Sequence, residues 1–211
     1  MGKQLVLGSV LGAIVLFVWS AIAWMLIPWP GEPLRTFTNE DAVAQAIKAN
    51  APRSGNYLLP NEPKRTPGMT NEQSQKMEQE AADRMSRGPV IFAAVRLEPF
   101  GSMVKPLVIG FVTQFIAALL ATFLLLQTSA LSYAIRVVFL TVIGVIIFVG
   151  GHLDEWNWWS FSNAYLAMQA GAIVIGWVLA SFVMAVVVRG KATTLQNRVY
   201  EAGVGVKDNL E

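Results

Sequence analysis

His152, Asp154 and Glu155 fall within four positions, and an imidazole beside two carboxylates is a residue set able to hold a divalent metal or relay a proton. Their spacing matches no recognised ligand pattern, and no second histidine or any cysteine exists to complete a site. A polar end to an apolar helix is the preferred reading. Met69, Met77 and Met85 recur every eight residues, with Met103 beyond, and thioethers suit Cu(I). That interval is also just over two helical turns, so it makes an ordinary packing stripe, which is favoured because no histidines accompany it. Neither a G-x-S-x-G elbow, a phosphate-cradling glycine loop nor HExxH occurs, and no charged residue lies in the middle third of any apolar run. No enzyme, no cofactor and no resident metal are expected. The lack of intramembrane charge also argues against ion-coupled transport.

The elements that would position these residues belong to a membrane. Of 211 residues, 54% are hydrophobic and only 14% charged, well below the roughly 25% charge of soluble domains. The net charge of +2 is small and its basic residues are dispersed, so nucleic acid is discounted as a partner. Cysteine is absent, which excludes disulfides and thiolate-bound metal centres.

Four apolar runs are each long enough to span: Leu5–Ile27, Leu107–Leu126, Leu131–Gly151 and Ala164–Val188. The first competes with a secretory signal cut after Ala21-Ile22-Ala23. An uncleaved anchor over residues 1–27 is preferred because the run continues through Trp24 to Ile27. Residues 28–106 hold all ten prolines, ten of the sixteen basic residues and nine of the fourteen acidic ones, marking a water-exposed insert. It reads as helix, strand, helix, strand. Thr38 caps a helix to Asn50, Asn56–Leu59 is a strand, and Pro60, Pro63 and Pro67 mark an irregular connector. Thr70 and Gln73 form a capping box for a second helix carrying the ion pairs Glu72/Lys76, Glu80/Arg84 and Asp83/Arg87 and ending at Gly88-Pro89. Val90–Leu97 is the insert's central strand. The fold class is therefore integral membrane and mainly α, four transmembrane helices with a small α+β extracytoplasmic insert between the first and second. The three-helix region 107–188 is followed by a cytoplasmic tail, 189–211, with Gly203 and Gly205 against helix.

Lys3, Arg136, Arg189, Lys191 and Arg198 would lie on one side and the Lys- and Arg-free turn Gly150–Phe161 on the other, which places both termini in the cytoplasm. Arg136 is expected to snorkel to headgroups. Six of seven tryptophans, Trp19, Trp24, Trp29, Trp156, Trp158 and Trp159, then fall in the outer half, as an interfacial belt or as a docking surface; Trp177 is mid-span. Gly8 with Gly12, and Ala172 with Gly176 and Ala180, line up at i,i+4. Such small faces let helices approach closely, within one bundle or between subunits.

The stretches SGNYLLP (54–60), GPVIFAAVRLEPFGSM (88–103) and GHLDEWNWWSFS (151–162) resemble segments of small uncharacterised bacterial four-span inner-membrane proteins. The resemblance implies that architecture and a bacterial inner membrane, with no activity, ligand or catalytic residue attached. The functional expectation is a non-catalytic accessory subunit or assembly factor that contacts the lipid bilayer and another membrane protein or a second copy of itself. The alternatives are a small-solute or lipid-binding carrier and a periplasmic metal-handling protein.

Overall fold

The computed structural model describes residues 2–61, 66–128 and 131–189. Pro63, Lys191, Arg198, Gly203, Gly205 and the tail beyond lie outside them. The chain is mainly helical, in the order α1 (Gly2–Met25), α2 (Glu40–Asn50), β1 (Gly55–Leu59), α3 (Asn71–Arg87), β2 (Ile91–Val95), α4 (Val104–Gln127), α5 (Tyr133–Trp159), α6 (Asn163–Ala170), a π-helical turn (Gly171–Ile175) and α7 (Gly176–Val187). Four helices are long and apolar enough to cross a membrane: α1, α4, α5 and the composite Asn163–Val187.

The chain divides into two compact units. The first comprises residues 1–33, 102–153 and 163 onward. Its backbones approach most closely where α1 meets α4 and α7. Small side chains allow this: Gly8, Ser9, Gly12 and Ala13 of α1 are buried, as are Ala118, Ala121 and Thr122 of α4 and Ala180, Ser181 and Ala185 of α7. Leu16, Leu125 and Met184 fill the space between them. Ser9 donates its hydroxyl to the Leu5 carbonyl (2.6 Å), so the polar atom is satisfied within its own helix. Elsewhere the long helices present Val, Ile, Leu and Phe outward, including Val6, Val108, Ile146 and Val186, each more than half exposed.

α5 is attached differently, through side chains rather than close backbone approach. Arg136, Leu140 and Gly144 are its buried residues, one helical turn apart. Arg136 corrects the snorkelling expectation. It turns inward, donating Nε to the Ala185 carbonyl (3.0 Å) and Nη1 to the Leu131 carbonyl (2.6 Å), with its guanidinium 5.9 Å from the Tyr133 ring centroid. Ala185 lies in the last turn of α7, where carbonyls have no helical partner and the helix dipole favours a cation, so Arg136 caps that end. Tyr133 adds its hydroxyl to the Phe182 carbonyl (3.1 Å).

α5 also runs further than apolarity implies. The helix continues through Gly150 and Gly151 to Trp159, so the tryptophan-rich stretch is its last two turns, and the reversal is confined to Ser160–Ser162, where Ser160 has φ 59°. Backbone bonding, not the end of the apolar run, sets the helix length. Similarly α4 begins at Val104: Lys105 and Pro106 sit in its first turn, where proline's missing N–H costs no helical bond.

The second unit comprises Leu34–Gly101 with Asp154–Ser162. The cap of α2 is Asn39 rather than Thr38; its side-chain carbonyl accepts from the Ala42 amide (2.9 Å), a role in which Asn is at least the equal of Thr. α3 begins with the expected reciprocal box between Thr70 and Gln73 and ends at Gly88, φ 62°. Arg84 and Arg87 direct their Nε atoms to the backbone carbonyls of Glu80 and Asp83 (3.3 and 3.1 Å). β1 and β2 form an antiparallel pair with Tyr57 opposite Ala93. Among the described residues the sheet has two strands, so β2 is not central and each strand keeps one unpaired edge there. Just beyond the ladder, Ser54 donates to Glu98 (2.6 Å) and accepts from the Leu97 amide (2.8 Å). Among the described residues of this unit only Ala51, Pro60 and Ser74 are buried. Met69 and Met77 are half-buried and Met85 is 44% exposed, so the expected packing stripe is thin.

Candidate functional site

The fourth apolar helix is not regular. Its π-helical turn, Gly171–Ile175, lies between two glycines, and each glycine receives a tryptophan. A Cβ on Gly171 would stand 2.2 Å from Cη2 of Trp29, and one on Gly176 would stand 2.8 Å from Cδ1 of Trp19. The Trp19 indole N–H donates to the Gly171 carbonyl (3.3 Å), taking up an acceptor at the irregular turn, and the Trp29 indole donates to the Ala23 carbonyl (2.6 Å). π-Helical turns are rare and are frequent at functional sites. Trp19 and Trp29 are therefore half-buried packing residues rather than members of an open belt.

Beside this turn is a cavity of about 300 Å³, within the size range of small-ligand pockets. α1 contributes Leu16, Ser20 and Trp24; α4 contributes Thr113, Gln114 and Ala117; α5 contributes Ile147; the composite helix contributes Gln169, Ala172, Ile173 and Trp177. None of these side chains is ionisable. Gln169 is 8% exposed and its Nε2 lies 3.3 Å from Nδ1 of His152, whose ring stacks on Phe148 at 6.2 Å. Thr113 satisfies its hydroxyl on the Ile109 carbonyl (2.9 Å). Gln114 and Ser20 have no hydrogen-bond partner among the described residues. The floor is fixed by Trp177, 3% exposed, which lies against Gly144 of α5.

The expected small-residue faces are occupied within the chain. A Cβ on Gly8 would meet Val188 and Thr122 at 2.5 and 2.9 Å, and one on Gly12 would meet Met184 Sδ at 2.6 Å. Ala180 is fully buried, while Ala172 turns to the cavity. His152 belongs to the first unit through Gln169; Asp154 and Glu155 belong to the second. Among the described residues no three His, Cys, Asp or Glu side chains are grouped closely enough to hold a metal ion. Trp156, Trp158 and Trp159 are 42%, 72% and 40% exposed, and Trp159 packs on Phe92 of β2 with ring centroids 4.6 Å apart. Trp24 is 46% exposed and meets Tyr165 edge-on.

Sequence reasoning missed Gln114, Gln169 and the Gly144–Trp177 pair. The signal was present: neutral amides inside apolar runs cost free energy unless something hydrogen-bonds them. Comparison of the chain with known protein families, with curated proteins and with solved structures finds no match.

Proposed function

We propose that this is a non-catalytic, multi-pass protein of a bacterial inner membrane that acts by contact, as an accessory subunit or assembly factor of a larger membrane complex. Both termini lie in the cytoplasm and the Leu34–Gly101 segment outside it, in keeping with Lys3, Arg136 and Arg189 on one side. One observation carries the reading: the second unit buries little beyond Ala51, Pro60 and Ser74 while exposing Leu34, Phe37, Phe100 and Trp158, each more than half. A segment of this size without a core gains most of its stability from being covered. The unpaired edges of β1 and β2 offer main-chain hydrogen bonds to a strand, and Trp158 offers the kind of anchor that dominates interfaces. The occupant is an extracytoplasmic segment of another membrane protein.

The test places photo-crosslinkers at Ala94 and Trp158 of the full chain in native membranes. One protein is expected at both positions, co-purifying in stoichiometric amount and lost when Ala94→Pro blocks strand addition. Crosslinks confined to this chain or to lipid, with a monomer mass in mild detergent, overturn the proposal.

A further inference from the structure

We propose that the cavity beside the π-helical turn binds the head of an uncharged lipid, one whose hydroxyl or carbonyl oxygens hydrogen-bond with Gln114, Ser20 and Gln169. The depth of the site is the first argument. Gln114 lies ten residues from the start of α4, about 15 Å of helix, and Ser20 five from the end of α1, about 8 Å, whereas a bilayer's hydrocarbon core is about 30 Å thick. The amide of Gln114 thus sits up to halfway into hydrocarbon and the hydroxyl of Ser20 about a quarter of the way, both partnerless among the described residues, where an unsatisfied polar group is costly. Something entering from outside the chain must meet them.

The chemistry of that ligand follows from the lining. A phosphate or carboxylate head at this depth requires a cation, and the lining has none. Amides and a hydroxyl donate and accept, so they suit neutral oxygen-bearing heads, and Trp24 and Trp177 supply flat apolar walls. The route favours a lipid over a water-soluble solute. The backbones of α4 and α5 do not approach closely, and Thr113 and Ile147, one from each, are exposed at the rim, so the cavity opens sideways between two helices with apolar outer faces. A tail can remain in the bilayer while the head turns in. This site is independent of the docking proposed for the second unit.

The experiment reconstitutes the full chain in phosphatidylcholine nanodiscs with a diazirine-bearing diacylglycerol. Crosslinks are expected on Gln114, Ala117, Ala172 and Ile173. They should be competed by excess dioctanoylglycerol or by a short-tailed quinone, whichever head fits, and not by phosphatidylglycerol. Gln114→Leu and Ser20→Ala should each reduce labelling about fivefold, the worth of one net hydrogen bond. Ala172→Phe should abolish labelling by filling the space. If that variant fails to fold, Gln114→Leu still decides, because removing a partnerless amide leaves the bundle's melting temperature equal or higher. Equal competition by phosphatidylglycerol, labelling only on outward residues such as Ile116 and Ile146, or labelling unchanged in Gln114→Leu and Ser20→Ala each overturn the assignment. Labelling only on outward residues means that the cavity takes no lipid; labelling unchanged in the two variants means that a lipid enters without the hydrogen bonds assigned to it.

Discussion

Gly144→Ala tests how α5 is attached. A Cβ at Gly144 would lie 2.3 Å from Cβ, 2.5 Å from Cγ and 2.9 Å from Cδ1 of Trp177. These are the root of the side chain, not its mobile end, so a rotamer change cannot clear them. Ordinary contact begins at 3.4 Å, and the helices must separate by about 1 Å at this level. Two bonds lie on one side of the wedge, Thr141 to Ser181 at 3.4 Å and Arg136 to the Ala185 carbonyl at 3.0 Å, and such a shift takes both past useful hydrogen-bond length. Overpacking of this kind costs about 1–3 kcal/mol, and the freed Ala185 carbonyl adds to it. The chain has no cysteine, so a Thr141→Cys/Ser181→Cys pair reports the geometry on a clean background. Oxidation should crosslink the parent pair quickly and the Gly144→Ala version far more slowly, with a lower melting temperature in detergent. Equal rates and equal melting in the two would show that α5 does not rest on Trp177, and the reasoning would fail.

Thr122→Val should leave stability unchanged or raise it by up to about 1 kcal/mol, read from the melting temperature, because the Thr122 hydroxyl is fully buried without a partner among the described residues. Ser54→Ala should raise the Glu98 pKa toward the ordinary carboxylate value of about 4.3, read by NMR titration of the full chain. Chiefly the Ser54 hydrogen bond, then a backbone bond and Arg96, hold that pKa down against a small burial penalty. A lowered folded pKa means that this clasp stabilises above the unfolded pKa and is lost as pH falls through the folded one, so Ser54→Ala should flatten the acid side of the stability profile. For topology, Asn157→Cys should react with an impermeant thiol reagent in intact spheroplasts and Thr194→Cys should not; the reverse pattern would invert the proposed orientation.

The four apolar helices, the order of elements in the insert and the Thr70–Gln73 box were legible because each depends on local pattern: run length, strand alternation, a cap at fixed spacing. What escaped depends on distant partners. Nothing local to Gly171 indicates that Trp19 and Trp29, from the other end of the chain, will settle on it and open a π-helical turn. Arg136 looks like a snorkelling side chain until the last turn of α7 supplies carbonyls in need of a donor. The helix through Gly150 and Gly151 outruns its apolar residues because backbone bonding, not apolarity, sets its length. The cavity leaves no charge at helix depth to mark it, since its polar residues Gln114 and Gln169 carry none.

The central position of α1 has a consequence for how the chain is made. It leaves the ribosome before both helices it packs against, α4 and α7, which emerge only after the whole Leu34–Gly101 segment has followed it. During that interval the notch formed by Gly8, Gly12 and Ala13 is unfilled, and the indole of Trp19 has not yet met the Gly171 carbonyl. Helices in lipid insert individually and associate afterwards through fit and interhelical hydrogen bonds, so under the membrane assignment proposed above α1 is committed to the bilayer well before it has neighbours. Closure is therefore late and long-range, and the helix bearing the π-helical turn completes it. A ribosome stalled between α5 and α6 would expose α1 with half its neighbours missing, a state in which an insertase or a quality-control protease can still recognise the chain.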